Sequence, residues 1–125
     1  MVKTTQKKIL VAEDEKPMAH ALQLKLQREG FAVDVAPDGE AAMAMLTKNS
    51  YDALILDLIM PKMNGFEVLE GIQELKTKPK VIVASNLSQE QDAQRAKSLG
   101  ADDYFVKSNT PLKDIVEKVK LHLKL

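Results

Sequence analysis

Residues 53–57 read Ala53-Leu54-Ile55-Leu56-Asp57, four apolar residues without a polar break and then a carboxylate, with Pro61, Asn64 and Gly65 in the loop beyond. A strand with one wet face would alternate apolar and polar residues, so an unbroken run reads as a strand buried on both faces. The pattern recurs on either side. Upstream is Ile9-Leu10-Val11-Ala12, followed by Glu13 and Asp14. Downstream are Val81-Ile82-Val83-Ala84, followed by Ser85, and the shorter Tyr104-Phe105-Val106, followed by Lys107. Phe31 to Ala36 alternates as a strand.

Between these runs the period changes to that of a helix. Pro17 suits the first turn of a helix that continues through Leu22 and Leu26 to a stop at Gly30. Asp38 caps a second, with Ala42, Met45 and Leu46 on one face. Asn64-Gly65-Phe66-Glu67 has capping-box spacing and is followed by Val68, Leu69, Ile72 and Leu75 on one face. Ser88-x-x-Gln91 reads as a second capping box. Thr110-Pro111 starts a last helix bearing Leu112, Ile115, Val116, Val119 and Leu123. Five β/α repeats predict an α/β fold, an open doubly wound parallel sheet covered on both sides. The expected division is a short N-terminal tail at 1–7 and a single domain over 8–125.

A chain of 125 residues suits one domain. The absence of cysteine excludes disulfides and thiolate zinc sites. His20 and His122 each stand alone in a helical pattern and read as surface or helix-flank residues. Lysine plus arginine equals aspartate plus glutamate at 18 each, which argues against a broad nucleic-acid footprint. No apolar run approaches the roughly 18 residues of a membrane span, and the basic opening MVKTTQKK lacks the apolar stretch of a signal peptide. The expectation is a cytoplasmic protein without membrane insertion or direct nucleic-acid contact.

In doubly wound sheets ligands bind outside the carboxyl ends of the strands. Glu13, Asp14, Asp57, Ser85 and Lys107 all fall there, from four separate strands. Taken singly, each has a bland reading: first-turn acids, a turn aspartate, a cap serine, a surface lysine. Together they fit one site. Three carboxylates repel unless a cation neutralises them, and a few carboxylates with retained waters describe Mg²⁺. A carboxylate nucleophile beside a metal and a lysine is equipped for phosphoryl transfer.

These residues resemble the receiver domain of bacterial two-component response regulators. The resemblance spans Ile9 to Leu123 and rests on Val11-Ala12-Glu13-Asp14-Glu15, on Asp57 to Gly65 (DLIMPKMNG), on Val83-Ala84-Ser85 and on Leu99 to Lys107 (LGADDYFVK). It implies a flavodoxin-like strand order 2-1-3-4-5 in a three-layer α/β/α fold with five helices. It also implies that Asp57 accepts a phosphoryl group from a sensor histidine kinase or histidine phosphotransfer protein. Asp14, Asp57 and the backbone carbonyl of Ile59 would bind Mg²⁺ directly, Glu13 through a water. Ser85 and Lys107 would each hold a phosphoryl oxygen, and Tyr104 matches the switch aromatic. The fourth helix, with mainly Ala93, Ala96 and Leu99 on its apolar face, is weakly anchored and is expected to move. The surface of the fourth helix, fifth strand and fifth helix is then expected to control a downstream protein target, the chain being a monomer or weak dimer.

Four features depart from the family pattern. Ser108 stands where proline usually follows the lysine, so a trans peptide and a rearranged loop are expected, since a cis bond there would cost about 3–4 kcal/mol. Asn86 stands where a very small residue is usual. Ile59 and Leu87 flank the site and cannot orient a water. The acidic pair and the Gly100-to-Tyr104 stretch resemble receivers joined to DNA-binding domains, yet no helix-turn-helix is present, and output is expected through another protein or as part of a longer chain. The rival reading is a phosphorylation-independent receiver-like interaction module. An aspartate-nucleophile phosphatase would need a second aspartate at position 59, where Ile59 stands, so no enzyme activity is expected beyond the chain's own phosphoryl transfer and dephosphorylation.

Overall fold

The computed structural model describes residues 6–125. Residues 1–5 of the expected tail lie outside them. Gln6 and Lys7 meet the domain: Gln6 Nε2 donates to the Gly30 carbonyl at 3.0 Å, and the Ala32 N–H donates to the Lys7 carbonyl at 2.9 Å.

Five parallel strands, β1 (Lys8–Ala12), β2 (Ala32–Ala36), β3 (Ala53–Leu56), β4 (Lys80–Ser85) and β5 (Asp103–Val106), form one sheet in the order β2-β1-β3-β4-β5. Five helices connect or follow them: α1 (Lys16–Arg28), α2 (Gly39–Lys48), α3 (Gly65–Ile72), α4 (Glu90–Ser98) and α5 (Leu112–His122). The unbroken apolar runs are explained by two cores. Leu10, Ala12, Leu54, Leu56, Val81 and Val83 face one layer, with Ala42 and Leu46 of α2, Val68, Leu69 and Ile72 of α3, and Ala96 of α4. Their sequence neighbours Ile9, Val11, Ala53, Ile55, Ile82 and Ala84 face the other, with Leu22 and Leu26 of α1 and Ile115, Val116 and Val119 of α5. Strand side chains alternate between faces, so a strand covered twice must be apolar at every position.

Several local signals act as the sequence predicts. Gly30, at φ 97°, ends α1, and Asp38 caps α2 by accepting from the Ala41 N–H at 2.8 Å. Asn64 and Glu67 form the reciprocal capping box of α3, each side chain accepting from the other's backbone N–H at 3.0 Å. Caps of this kind contribute about 1 kcal/mol.

Two expectations are corrected. Ser88 does not cap α4: Gln89 occupies the N-cap position, and no side chain caps the helix. The regular part of α3 stops at Ile72 rather than carrying Leu75, because the N–H groups of Gln73, Glu74 and Leu75 bond three residues back instead of four. This tighter turn still leaves Leu75 against the core.

Helix α4 is thinly anchored. Ala96 is its one buried residue. The Arg95 guanidinium lies 4.0 Å from the ring centroid of Phe66 on α3, and Gln73 Nε2 donates to the Leu99 carbonyl at its C-terminal end at 3.0 Å.

Candidate functional site

Strand register assembles the site before any side chain is considered. Ala12 pairs with Leu56, so the next residues, Glu13 and Asp57, emerge side by side. The ladder continues one step beyond the strands and fixes both acids: the Glu13 N–H donates to the Ala36 carbonyl and the Asp57 N–H to the Ala12 carbonyl, each at 3.0 Å. Ser85 pairs with Val106, which brings Lys107 to the same rim. Gly65 closes the loop under Asp57. Its N–H donates to the Leu58 carbonyl at 2.9 Å, and a Cβ there would stand 2.5 Å from the Asp57 carbonyl oxygen and 2.6 Å from Leu58 Cα. Only glycine permits that approach.

The buried polar or charged residues among those described are Glu13, Asp57, Ser85 and Lys107. All four belong to this one rim. Burying ionised groups is costly unless they are paired. Here Lys107 Nζ donates to Asp57 Oδ2 at 3.0 Å and to Glu13 Oε1 at 2.8 Å, the second within the charge-assisted range. It also reaches Glu15 Oε1 at 3.2 Å. The second oxygen of Asp57, Oδ1, accepts from the Ile59 N–H at 3.1 Å.

Burial pushes the Glu13 carboxyl up to about 7, with the nearby Asp57 carboxylate acting in the same direction and Lys107 opposing both. Burial alone would lower the Lys107 ammonium. Its hydrogen bonds to Glu13 and Asp57 outweigh that and hold its pKa above the ordinary lysine value. The lysine is therefore a fixed positive charge, and Glu13 is the group poised to titrate near neutrality.

Asp14 is exposed and lines a recess of about 230 Å³ with Glu15, Asp57, Ile59, Asn86 and Lys107. Carboxylate oxygens of Glu13, Asp14 and Asp57 all lie within 4.8 Å of one another. Three hard oxygen donors at that separation suit a divalent cation of the Mg²⁺ kind. Ser85 is buried at the end of β4 and is not part of the recess wall. Its Oγ accepts from the Leu87 N–H at 3.5 Å. Tyr104 is half-buried, and its hydroxyl donates to the Leu87 carbonyl at 2.7 Å. Asn86, singled out in the sequence as a bulkier residue beside Asp57, stands in the wall, and so does Glu15, for which the sequence suggested no role. Glu15 directly follows the acidic pair and Asn86 directly follows Ser85, so adjacency was the signal available.

The described residues contain no cis peptide bond. The Lys107–Ser108 bond is accordingly trans, as the missing proline predicts. Residues Lys107–Asn109 form a 3₁₀ turn, and this loop delivers Lys107 to Asp57.

The family model for the response regulator receiver domain matches residues 9–120. The chain belongs to the response regulator receiver family. This receiver is 36% identical over 124 residues to the transcriptional regulatory protein ResD of Bacillus subtilis (strain 168), covering 99% of this chain and 51% of that protein. It is 37% identical over 117 residues to the regulatory protein VanRc of Enterococcus gallinarum, covering 94% and 50%. The chain thus spans about half the length of these relatives. Among solved structures, a CheY-like receiver domain protein from Methanospirillum hungatei JF-1 superposes with a TM-score of 0.90 at 25% identity, covering 96% of this chain and 95% of that one. The response regulator TrrA of Thermotoga maritima, solved with Mg²⁺ and BeF, gives 0.83 at 35% identity, covering 94% and 99%.

Proposed function

We propose that this receiver is a phosphoacceptor switch in which Asp57 takes a phosphoryl group from a phosphohistidine on a sensor histidine kinase or histidine phosphotransfer protein. The observation that carries this reading is the concentration of all four buried polar or charged residues among those described at one rim, with Asp57 held between Lys107 Nζ and the Ile59 N–H. An Asp57 carboxylate oxygen attacks phosphorus, a P–O bond forms, and the P–N bond breaks with its electron pair returning to the imidazole. Lys107 is positioned to follow the charge from the carboxylate to the phosphoryl oxygens. The Ser85 hydroxyl supplies a second donor once it turns from its own loop. Mg²⁺, held by Asp14, Asp57 and the Ile59 carbonyl with Glu13 acting through a water, would neutralise charge on the phosphoryl oxygens. Turnover is confined to the chain's own phosphorylation and dephosphorylation, in the cytoplasm, as a monomer or weak dimer.

The test is intact-protein mass after incubation with acetyl phosphate. Wild type is expected to gain one phosphoryl group in the presence of Mg²⁺ and none with the metal chelated, and Asp57→Asn to gain none. If wild type stays unmodified under every condition, the reading fails in favour of a phosphorylation-independent binding module.

Ile59 is 55% exposed over the recess, and neither it nor Leu87 carries a group able to orient a water. The acyl phosphate is therefore expected to persist for minutes or longer without a phosphatase. Decay within seconds, followed by the same mass measurement, would contradict this.

Output is expected through α4, β5 and α5 to a protein target. A new dianion gives Ser85 and Lys107 stronger partners and favours the conformation that supplies them. The thin anchoring of α4 makes it the element to respond. Phosphorylation should shift amide resonances from Gln89 to Val106, and an unchanged spectrum there would remove this surface from consideration.

A further inference from the structure

Asn86 and Ser108, the two departures that looked independent in the sequence, meet in the fold. The Ser108 N–H donates to Asn86 Oδ1 at 3.1 Å. A proline at position 108 would have no N–H to offer, and a very small residue at 86 would have no acceptor. The bond ties the loop after β4 to the loop after β5. Each partner sits one residue beyond a group assigned to hold the phosphoryl oxygens: Asn86 follows Ser85, and Ser108 follows Lys107.

Lys107 is already seated on Asp57 at 3.0 Å. Ser85 is not: its Oγ faces the Leu87 N–H at 3.5 Å and is absent from the wall of the recess. To reach a phosphoryl group Ser85 has to carry its loop toward Asp57. Asn86 shares a peptide unit with it and must move too, while Ser108 stays tethered behind Lys107.

We infer that the Asn86–Ser108 hydrogen bond is a latch that holds the loop between β4 and α4 in its unphosphorylated position and weakens capture of the phosphoryl group by Ser85. Asn86 is on this account a positioning residue. The inference rests on the phosphoacceptor reading.

The test compares beryllofluoride with Mg²⁺, a phosphoryl stand-in, on the whole chain as wild type, Asn86→Leu and Asn86→Ala. Leucine keeps the bulk of asparagine and removes the acceptor, so it separates the hydrogen bond from steric crowding. Asn86→Leu is expected to bind beryllofluoride about fivefold more tightly than wild type, the weight of one typical hydrogen bond. In wild type the Ser108 amide should exchange slowly with solvent before binding and rapidly after it, and in Asn86→Leu rapidly throughout. Unchanged affinity in Asn86→Leu with a gain in Asn86→Ala would overturn the latch in favour of simple crowding. A Ser108 amide that stays protected after binding would overturn it as well. If wild type itself binds no beryllofluoride, the phosphoacceptor reading falls and the latch falls with it, an outcome distinct from binding without a difference between variants.

Discussion

Lys107→Ala is expected to destabilise the folded chain by about 3–5 kcal/mol near neutral pH, because it strips the counterion from buried carboxylates. Glu13 and Asp57 are 3% and 4% exposed and share the ammonium of Lys107. Removing one partner of a buried pair costs more than the pair contributes, since the remaining charge stays desolvated. The pH dependence separates this from lost packing of the lysine stem. Lys107 has a raised pKa, so its contribution in wild type is complete well below the ordinary lysine value and is lost only as pH rises through its folded-state value. Between mildly acidic and neutral pH the lysine therefore stays charged, and any change in the gap between variant and wild type reports the carboxylates. In the variant the Glu13 carboxyl, already raised by burial, loses the lysine that opposes that rise and should take up a proton more readily, so the gap should narrow as pH falls. Denaturant unfolding of both proteins across that range measures it. Added Mg²⁺ should recover part of the loss in the variant. A gap that is the same at every pH and blind to Mg²⁺ would assign the effect to packing.

Mg²⁺ affinity should fall by up to about tenfold for each pH unit below about 7, and level off above it. The cause is Glu13. Its carboxyl binds a proton more tightly in the fold than in water, and a metal that needs the carboxylate must displace that proton. The direction is fixed by the raised pKa: acid weakens binding, and alkali beyond Glu13's titration adds nothing. Calorimetric titration with Mg²⁺ over a pH series tests it. Glu13→Gln should bind more weakly at neutral pH and lose most of the slope. A slope retained in that variant would place the titrating group elsewhere in the recess.

Much of this was legible in the sequence because it was carried by backbone-scale signals. Four apolar residues from Ala53 to Leu56 need two covered faces, whatever the rest of the chain does, and the acid after them has to emerge at the rim. The same reasoning placed Glu13, Ser85 and Lys107, and the register of β1 on β3 brought Glu13 beside Asp57 as expected. What escaped were properties that depend on a side chain's aim. Ser85 follows its strand as expected, yet its hydroxyl turns along the loop rather than into the recess. Glu15 carries no signal in the sequence beyond following the acidic pair, and only the fold brings it to Lys107. Ser88 has capping spacing, but α4 begins after Gln89, and spacing alone cannot say which residue takes the extended N-cap conformation. Asn86 and Ser108 are 22 positions apart, and no local pattern connects them.

The way α4 is held has a consequence for the solubility of both states. A helix docked by leucines would bare an oily stripe on both sides of the seam each time it shifted, and that stripe would invite self-association. Here the clasp is a guanidinium on the Phe66 ring, an amide on the Leu99 carbonyl, one buried alanine and the half-buried Leu99 at the end of the helix. Displacing it wets few apolar groups beyond Ala96 and Leu99. If the proposed switching displaces α4, it bares one leucine and one alanine rather than an extended apolar stripe, and the phosphorylated and unphosphorylated forms should remain similarly dispersed.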